Sequence, residues 1–560
     1  MTPARVTHAG RPETRTVGDA ALLVNAPGVA ARRAAAISSA ALPGVIDIVP
    51  GAATVLVVTE PGRWDLEVLG RRLAALPLPD EVTASEAEVE IPVRYDGADL
   101  PALADLTGLT AAEVMERHQA ARYRVGWMGF SPGFGYLTGL DPVLAAVPRL
   151  GTPRASVPAG SVAIGGGLAA VYPAPSPGGW WLLGRTTARM WDPRRRPPAL
   201  LAPGTPVRFR AVPAADSPTA SSPTASSPDP GPAAAGGSWT GPVEVLRTGP
   251  LATIQDLGRP GYAHLGVPRA GAADPDSLKR ANRLVGNPDG TAGLEVTLGR
   301  LQLRFHAAAV VAVTGAPVAV SLTPLSLTAV SLTAASPAAA AADPVEAPFG
   351  RAVDVPAGAV LRLAAPADGL RSYLSIRGGI DVPPELGSRS ADLLSGLGPR
   401  PLRPGDRLPV GAIGPGPRRS PAAPADRAAP VSSDPAAAGG PADPVLLRIW
   451  AGPRDDWFEP AALLALTKAS YQVTPTSNRT GLRLSGAPLG RARAGELPTE
   501  GMVTGALQVP PDGQPILLLA DHQTTGGYPV IAVVHSADIG RAAQLRPGRL
   551  VRFQLVQPGS

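Results

Sequence analysis

Three segments spread along the chain share one pattern, and that pattern constrains the architecture more than any other feature. Leu201-Ala202-Pro203-Gly204 runs into Thr205-Pro206-Val207-Arg208-Phe209. Leu402-Arg403-Pro404-Gly405 runs into Asp406-Arg407-Leu408-Pro409-Val410, and Leu545-Arg546-Pro547-Gly548 into Arg549-Leu550-Val551-Arg552-Phe553. Proline fixes φ at the first corner of a turn and glycine takes the left-handed second corner, so each segment reads as a turn feeding a short alternating strand. Repeated at the ends of three blocks, the pattern predicts three related β units, each closed by its last strand.

Low-complexity stretches separate the blocks. Residues 212–238 and 415–443 are rich in Pro, Ala and Ser with almost nothing to bury, which predicts disordered linkers. A milder stretch, 333–346, reads as an expanded surface loop within the middle block. The β blocks are therefore 89–211, 239–414 and 444–560. Residues 1–88 differ: a strand at 21–26, a helix at 29–40, a strand at 45–59 and a helix at 66–76 predict a small α+β sandwich. The expected fold is mainly β with α+β. Two further helices are predicted, one from Thr110 with Thr110 and Glu113 as a capping box, one at 274–286 with Asp274 ahead of Pro275.

Composition removes several chemistries. There is no cysteine, which excludes disulfides, thiolate catalysis and cysteine-held metals. The only lysines are Lys279 and Lys468; neither sits in a context for a biotinyl-lysine or a Schiff base. The net charge of +6 is dispersed, and the longest basic run, Arg194-Arg195-Arg196, lies between prolines with no aromatic interleaving, so no nucleic-acid partner is expected. No apolar run approaches the ~18 residues of a membrane span, and the first residues lack a signal peptide's apolar core. A soluble cytoplasmic protein is expected, with no membrane partner and no metal site.

The densest chemistry lies in Asp521-His522-Gln523-Thr524-Thr525-Gly526-Gly527-Tyr528-Pro529, between the apolar runs 516–520 and 530–534. An acid, an imidazole, an amide, hydroxyls and a phenol meet at one strand end, and the glycines let a ligand approach the backbone. A second cluster is Gln255-Asp256-Leu257-Gly258-Arg259-Pro260-Gly261-Tyr262-Ala263-His264. Its bland reading is Asp256 capping a turn with Arg259 paired to it. Gly129-Phe130-Ser131-Pro132-Gly133-Phe134-Gly135-Tyr136-Leu137 matches the G-x-S-x-G elbow in letters only. Pro132 lacks the N–H an oxyanion hole needs after the serine, so the segment reads as an aromatic pocket wall. Arg154 and Arg185 could clamp a carboxylate or phosphate, or simply satisfy loop carbonyls. His118 reads as a packing residue on a helix.

Together these segments resemble the carboxyltransferase-domain family, which contains both allophanate hydrolase subunits (the first and the second) and the B-type and C-type subunits of bacterial 5-oxoprolinase. GFSPGFGYL, VPAGSVAI (with Gly160 and Ser161) and SPGGWWLLGRT are similar to the first-subunit or B-type half. TIQDLGRPGYAHLGVP, RGGIDVP, LGSRS and DHQTTGGYP are similar to the second-subunit or C-type half. The resemblance implies cyclophilin-like barrels, one in the first half and two in the second, in a fusion of two chains whose halves pack together. It implies opening of 5-oxoproline to glutamate with ATP and a separate A-type subunit. A related implication is a carboxyltransferase module fed by carboxybiotin in trans and acting on urea; a third is a non-enzymatic kinase-inhibitor-like binding protein. In one place the chain departs from the family: the first half usually reads Gln-Thr-Gly before Tyr-Pro, and here Leu168-Ala169-Ala170 stands there, its counterpart expected at Gln523-Thr524-Thr525.

Under the hydrolytic reading the chemistry requires a base for water and donors for an oxyanion. Asp521 or His522 is expected as base, with Gln523, Thr524 and the Gly526 and Gly527 amides as donors. Arg154 and Arg259 are expected to meet the substrate carboxylate or phosphate. Phe130, Phe134, Tyr136, Gly160, Ser161, Gln255, Asp256, His264 and Tyr528 are expected to line the small-molecule site.

Overall fold

The structure is a computed structural model that describes residues 13–80, 87–152, 154–213, 239–324, 343–412, 443–493, 495 and 497–556. Nearly all of the two expected linkers, and 333–342 of the expected loop, lie outside the described residues.

The amino-terminal unit is a four-stranded sheet, in the order Thr14–Thr16, Ala21–Asn25, Thr54–Thr59, Val45–Pro50. Helices Ala30–Ser39 and Leu66–Ala75 cover one face. The expected single strand at 45–59 is a hairpin: Pro50 and Gly51 turn the chain, and Gly51 N–H donates to Thr54 O at 2.8 Å. Pro-Gly is the turn signal inside that apolar run. The sheet's other face is apolar too, and Val17, Leu23, Val49 and Leu56 pack on Met502, Leu518, Val530 and Val533 of the last unit. Each fully buried side chain of this size contributes about 1.5–3 kcal/mol, enough to fix the two units to each other.

The first β block is a seven-stranded sheet running Val89–Val93, Pro206–Ala211, Tyr123–Met128, Gly135–Thr138, Leu168–Val171, Ser161–Gly165, Trp181–Arg185. Arg94 and Arg185 exchange backbone hydrogen bonds of 2.9 Å each way, joining the two edges into a barrel. The last block is a closed barrel, Val445–Ala451, Leu550–Leu555, Ser470–Val473, Gly481–Ser485, Ile516–Leu518, Ala506–Gln508, Val530–Val534. Taken in chain order, the two circuits are the same. In both, the closing strand pairs in parallel with the opening one. The middle block wraps a six-stranded and a five-stranded sheet around one core that includes Ile254, Leu294, Phe305 and Leu374.

The three expected turns are present. Gly204, Gly405 and Gly548 take φ of +87°, +92° and +87°, and each is followed by its strand. The helix Ala111–Ala120 carries the full capping box: Glu113 N–H donates to Thr110 Oγ1 at 3.2 Å, and Thr110 N–H to Glu113 Oε2 at 2.7 Å. His118 on that helix is wholly buried against Tyr95, Tyr123 and Phe209, and burial pushes its pKa down to about 3. It is a neutral packing residue. Asp274 caps Pro275–Val285 through Ser277 N–H at 3.2 Å. Among the described residues no helix is long and apolar enough to cross a membrane.

Candidate active site at a junction of three loops

Residues 521–528 leave the strand Ile516–Leu518 and return as Val530–Val534. Thr525 and Gly526 pair with Glu500 and Gly501, which pins the loop's middle. Thr525 Oγ1 then accepts the Phe130 N–H at 2.9 Å, so the last barrel's loop meets the first barrel's aromatic loop. A side chain on Gly129 would place Cβ 2.3 Å from that same Oγ1, so only glycine fits. The loop that opens the middle block joins both. Gly133 N–H donates to Leu265 O at 3.2 Å, and a Cβ at Gly266 would lie 2.3 Å from Ser131 O. Asp47 of the amino-terminal unit fixes the loop's far side, accepting from Gly261 N–H at 2.9 Å and Ala263 N–H at 3.2 Å.

The aromatic residues of this segment pack on one another as a buried cluster. Trp127 stacks on Tyr136 at 4.9 Å, and Phe134 meets Tyr136, Tyr172 and Trp180 edge to face. Phe130 joins this cluster from a left-handed backbone, φ +62°, a conformation a non-glycine residue holds only when its surroundings fix it. Burial pushes the Tyr136 hydroxyl's pKa up, and the Thr525 and Thr499 side chains and Arg149 draw it back. Gly160 and Ser161 sit against Tyr172 through backbone bonds of 2.8 and 2.9 Å, one shell behind the wall. Arg154 is not free to clamp a ligand: it is bound to Asp99 and to Trp180 O, and Arg185 is bound to Asp96 at 2.7 Å. Leu168, Ala169 and Ala170 lie on the strand Leu168–Val171, which strand order matches to Ile516–Leu518. Gln523-Thr524-Thr525 lies beyond that strand, so the expected equivalence of the triplets does not hold in the fold.

Charge concentrates behind the 521–528 loop. Asp521 is fully buried; Arg479 donates to both its oxygens at 2.9 Å, and Leu393 N–H to one at 3.2 Å. Arg479 also binds Glu295 and Gly271 O, and Glu295 accepts from Tyr373 OH at 2.8 Å and Ala273 N–H at 2.9 Å. Burial alone would push the Glu295 carboxyl up, but the Arg479 and Arg371 guanidiniums hold it below its usual range. Both Asp521 oxygens are engaged, so this carboxylate ties two domains together. His522 beside it is buried, which lowers its pKa, and Nδ1 lies 2.7 Å from Gln523 O. A neutral imidazole held by one nitrogen is the form that can take a proton on the other. Thr524 Oγ1 is buried without a partner, Gln523 is half-buried, and Tyr528 lies beneath Arg491 at 6.0 Å.

In the middle loop, Asp256 caps the turn through Gly258 N–H at 2.8 Å and also binds Ser388 Oγ at 2.7 Å and Arg389 N–H at 2.6 Å. Arg259 is not paired to it. The Arg259 guanidinium, 1% exposed, gives Nη2 to Ser390 O and leaves Nε and Nη1 without partners. Gln255 spans Thr253 and Ala391 with Nε2 and has a partnerless Oε1, while His264 stands at the surface.

Residues 388–398, which fold over Arg259 and Asp521, bring in a residue that sequence reasoning missed. Asp392 is 2% exposed, holds Ser395 Oγ and the Leu394 and Ser395 amides, and is pushed up to about 6 by burial and by Asp521. Glu295 and Arg479 were missed as well. The two partners are 184 residues apart in the chain, and no local pattern marks such a pair.

Similarities to known proteins fall on the two halves of the chain separately. A family model described as carboxyltransferase domain, subdomain C and D, matches residues 12–201, and one described as subdomain A and B matches 265–555. The second half is similar to the C-type subunit of 5-oxoprolinase from Escherichia coli K12, 36% identical over 317 residues, covering 56% of this chain and 90% of that protein. The first half is similar to the B-type subunit of 5-oxoprolinase from Escherichia coli O157:H7, 40% identical over 172 residues, covering 30% of this chain and 78% of that protein. The crystal structure of TTHA0988 resembles the whole, with a TM-score of 0.76 at 33% identity, covering 95% of this chain and 99% of that one.

Proposed function

The chain belongs to the carboxyltransferase-domain family, with subdomains C and D ahead of A and B in one polypeptide, and from that premise we propose that it is the fused B- and C-type part of an ATP-dependent 5-oxoprolinase. The observation that carries the reading is the Phe130–Thr525 hydrogen bond, which joins a loop of the B-like half to a loop of the C-like half. Two half-sites meeting at one point are what a reaction shared between two subunits needs.

Opening a five-membered lactam requires water to attack the carbonyl carbon, negative charge to collect on its oxygen, and the ring nitrogen to leave with a proton. We assign activation of that water to His522, whose neutral imidazole is oriented by Gln523 O. The unpartnered Thr524 hydroxyl, the Gln523 amide and the Gly526 and Gly527 N–H groups are proposed to stabilise the oxyanion. Arg259 is proposed for the substrate's anionic group. Asp521 is given a holding role, because both its oxygens are engaged. ATP is proposed as the source of activation, with its site shared with or supplied by an A-type subunit, since no G-x-x-x-x-G-K-[ST] stretch occurs in the sequence.

The test is ADP release by the whole chain mixed with an A-type subunit, run with 5-oxo-L-proline, with urea and with neither. Release that depends on 5-oxoproline and falls in His522→Ala supports the reading. Release with urea alone, or none with 5-oxoproline, would sink it.

A further inference from the structure

The Thr524 hydroxyl, the Gln523 amide and the Gly526 and Gly527 N–H groups are all neutral donors, yet a cation stands beside the same turn. A Cβ built on Gly527 would lie 3.9 Å from Nη1 of Arg149, a half-buried residue of the first barrel. Both chain neighbours of Arg149 are tied down at their backbones. Trp181 Nε1 donates to Pro148 O at 2.7 Å, and Leu150 N–H donates to Gly179 O at 2.8 Å. Trp180, between those two partners, carries the Arg149 guanidinium 5.9 Å from its ring centroid, a cation–π contact. Gly166, φ +60°, leaves room for it: a Cβ there would lie 3.2 Å from Nε. The segment Gly179-Trp180-Trp181 therefore fixes Arg149 at three points, and the guanidinium end reaches the loop of the other half. Its field is felt in the aromatic wall. Burial pushes the Tyr136 and Tyr172 hydroxyls up, and Arg149 is among the groups that draw both back.

We propose that Arg149 is the charged member of the oxyanion site, contributed by the B-like half to the Gly527 turn of the C-like half. The role rests on the hydrolytic reading above. As water attacks, its oxygen bonds to the carbonyl carbon and the C=O π pair moves onto the carbonyl oxygen. That pair re-forms the C=O bond as the C–N bond breaks, and the nitrogen takes up the proton that His522 removed from water. The negative charge is transient, and a cation already held in place meets it without reorganising. A hydrogen bond from a charged donor is also about twice as strong as one from a neutral donor. Loss of Arg149 therefore falls on the chemical step rather than on binding. His522 belongs to one half and Arg149 to the other, so neither half alone carries both the base and the cation.

Steady-state ADP release by the whole chain with an A-type subunit, on 5-oxo-L-proline and on urea, tests it, with a thermal melt of each variant. Arg149→Gln is expected to lower kcat by about 10²-fold or more, with KM within about threefold of the wild type and the melting temperature kept. Arg149→Lys restores a point charge without the planar fork and is expected to lower kcat by only about tenfold. A rise in KM with kcat kept makes Arg149 a substrate-binding group and overturns the proposal. So does a Lys variant no better than Gln, or a kcat loss that tracks a fall in melting temperature across both variants. If Arg149→Gln does not fold, Arg149→Lys decides: kcat lowered with KM kept supports the role, and kcat kept or KM raised overturns it. Turnover of urea without 5-oxoproline sinks the 5-oxoprolinase reading alone, and Arg149 is then decided on kcat for urea. A wild type that turns over neither overturns both.

Discussion

Thr525 Oγ1 accepts the backbone N–H of Phe130 at 2.9 Å, across 395 residues of sequence. The contact is specific on both sides: Gly129 must lack a side chain for Thr525 to approach, and Phe130 must hold a left-handed backbone to present its N–H.

Thr525→Val keeps the shape and removes the acceptor, leaving a partly buried N–H unsatisfied at about 1–3 kcal/mol. With the strand pairing to Gly501 still in place, melting temperature should drop modestly. Turnover with the A-type subunit should fall by a much larger factor, because the two loops lose their register. Steady-state kinetics beside a thermal melt separates the two; equal losses would leave Thr525 a merely structural residue.

Arg479→Ala removes the cation between two buried carboxylates, Glu295 and Asp521. Truncating one member of a buried ionic set costs about 3–5 kcal/mol, since the partners remain buried and uncompensated. Urea denaturation should show it, and Asp521→Asn, which leaves the Arg479–Glu295 pair intact, should cost less.

Asp392→Asn should stabilise the protein at alkaline pH. The Asp392 carboxyl is raised in the fold, so its contribution is fully present below the unfolded value of 3.8 and is lost as pH rises through about 6. Removing the charge should therefore add roughly 2–3 kcal/mol near pH 8 and nothing near pH 4. Denaturant melts of wild type and variant at both values check the sign.

Residues 1–211 and 239–560 produced as separate chains should associate. The contacts that join them, Val17, Leu23, Val49 and Leu56 on Met502, Leu518, Val530 and Val533, with the Phe130–Thr525 and Asp47–Gly261 bonds, do not need the peptide connection. Co-elution in size-exclusion chromatography is the expected result; two independent peaks would contradict it.

What is legible in the sequence is local. The Leu-x-Pro-Gly turns, the Thr110 and Asp274 caps and the loops at 129–134, 256–262 and 521–524 are set by a few neighbouring residues, and the fold keeps them. The hairpin at 45–59 reads as one strand because β-branched residues on both sides of Pro50-Gly51 outweigh the turn signal. Within the site, residue types are legible and partners are not. Arg154 and Arg259 look alike in the sequence, yet one is bound to Asp99 and the other keeps two unpartnered donors. Asp521 stands out because His522 and Gln523 follow it, whereas Asp392 sits in an unremarked turn and becomes notable only when Asp521 lies against it.

The parallel pairing of first and last strands in two of the barrels has a consequence for how such a chain can arise. Val89–Val93 runs alongside Pro206–Ala211 in the same direction, and Val445–Ala451 alongside Leu550–Leu555, so each barrel takes its polypeptide in at one end and releases it at the other. A unit that enters at one end and leaves at the other can be followed by a further unit, or end there, without rethreading its own strands. Whether a genome encodes these halves on one message or two is then a question of gene arrangement, and the junction where Phe130 meets Thr525 is indifferent to the answer.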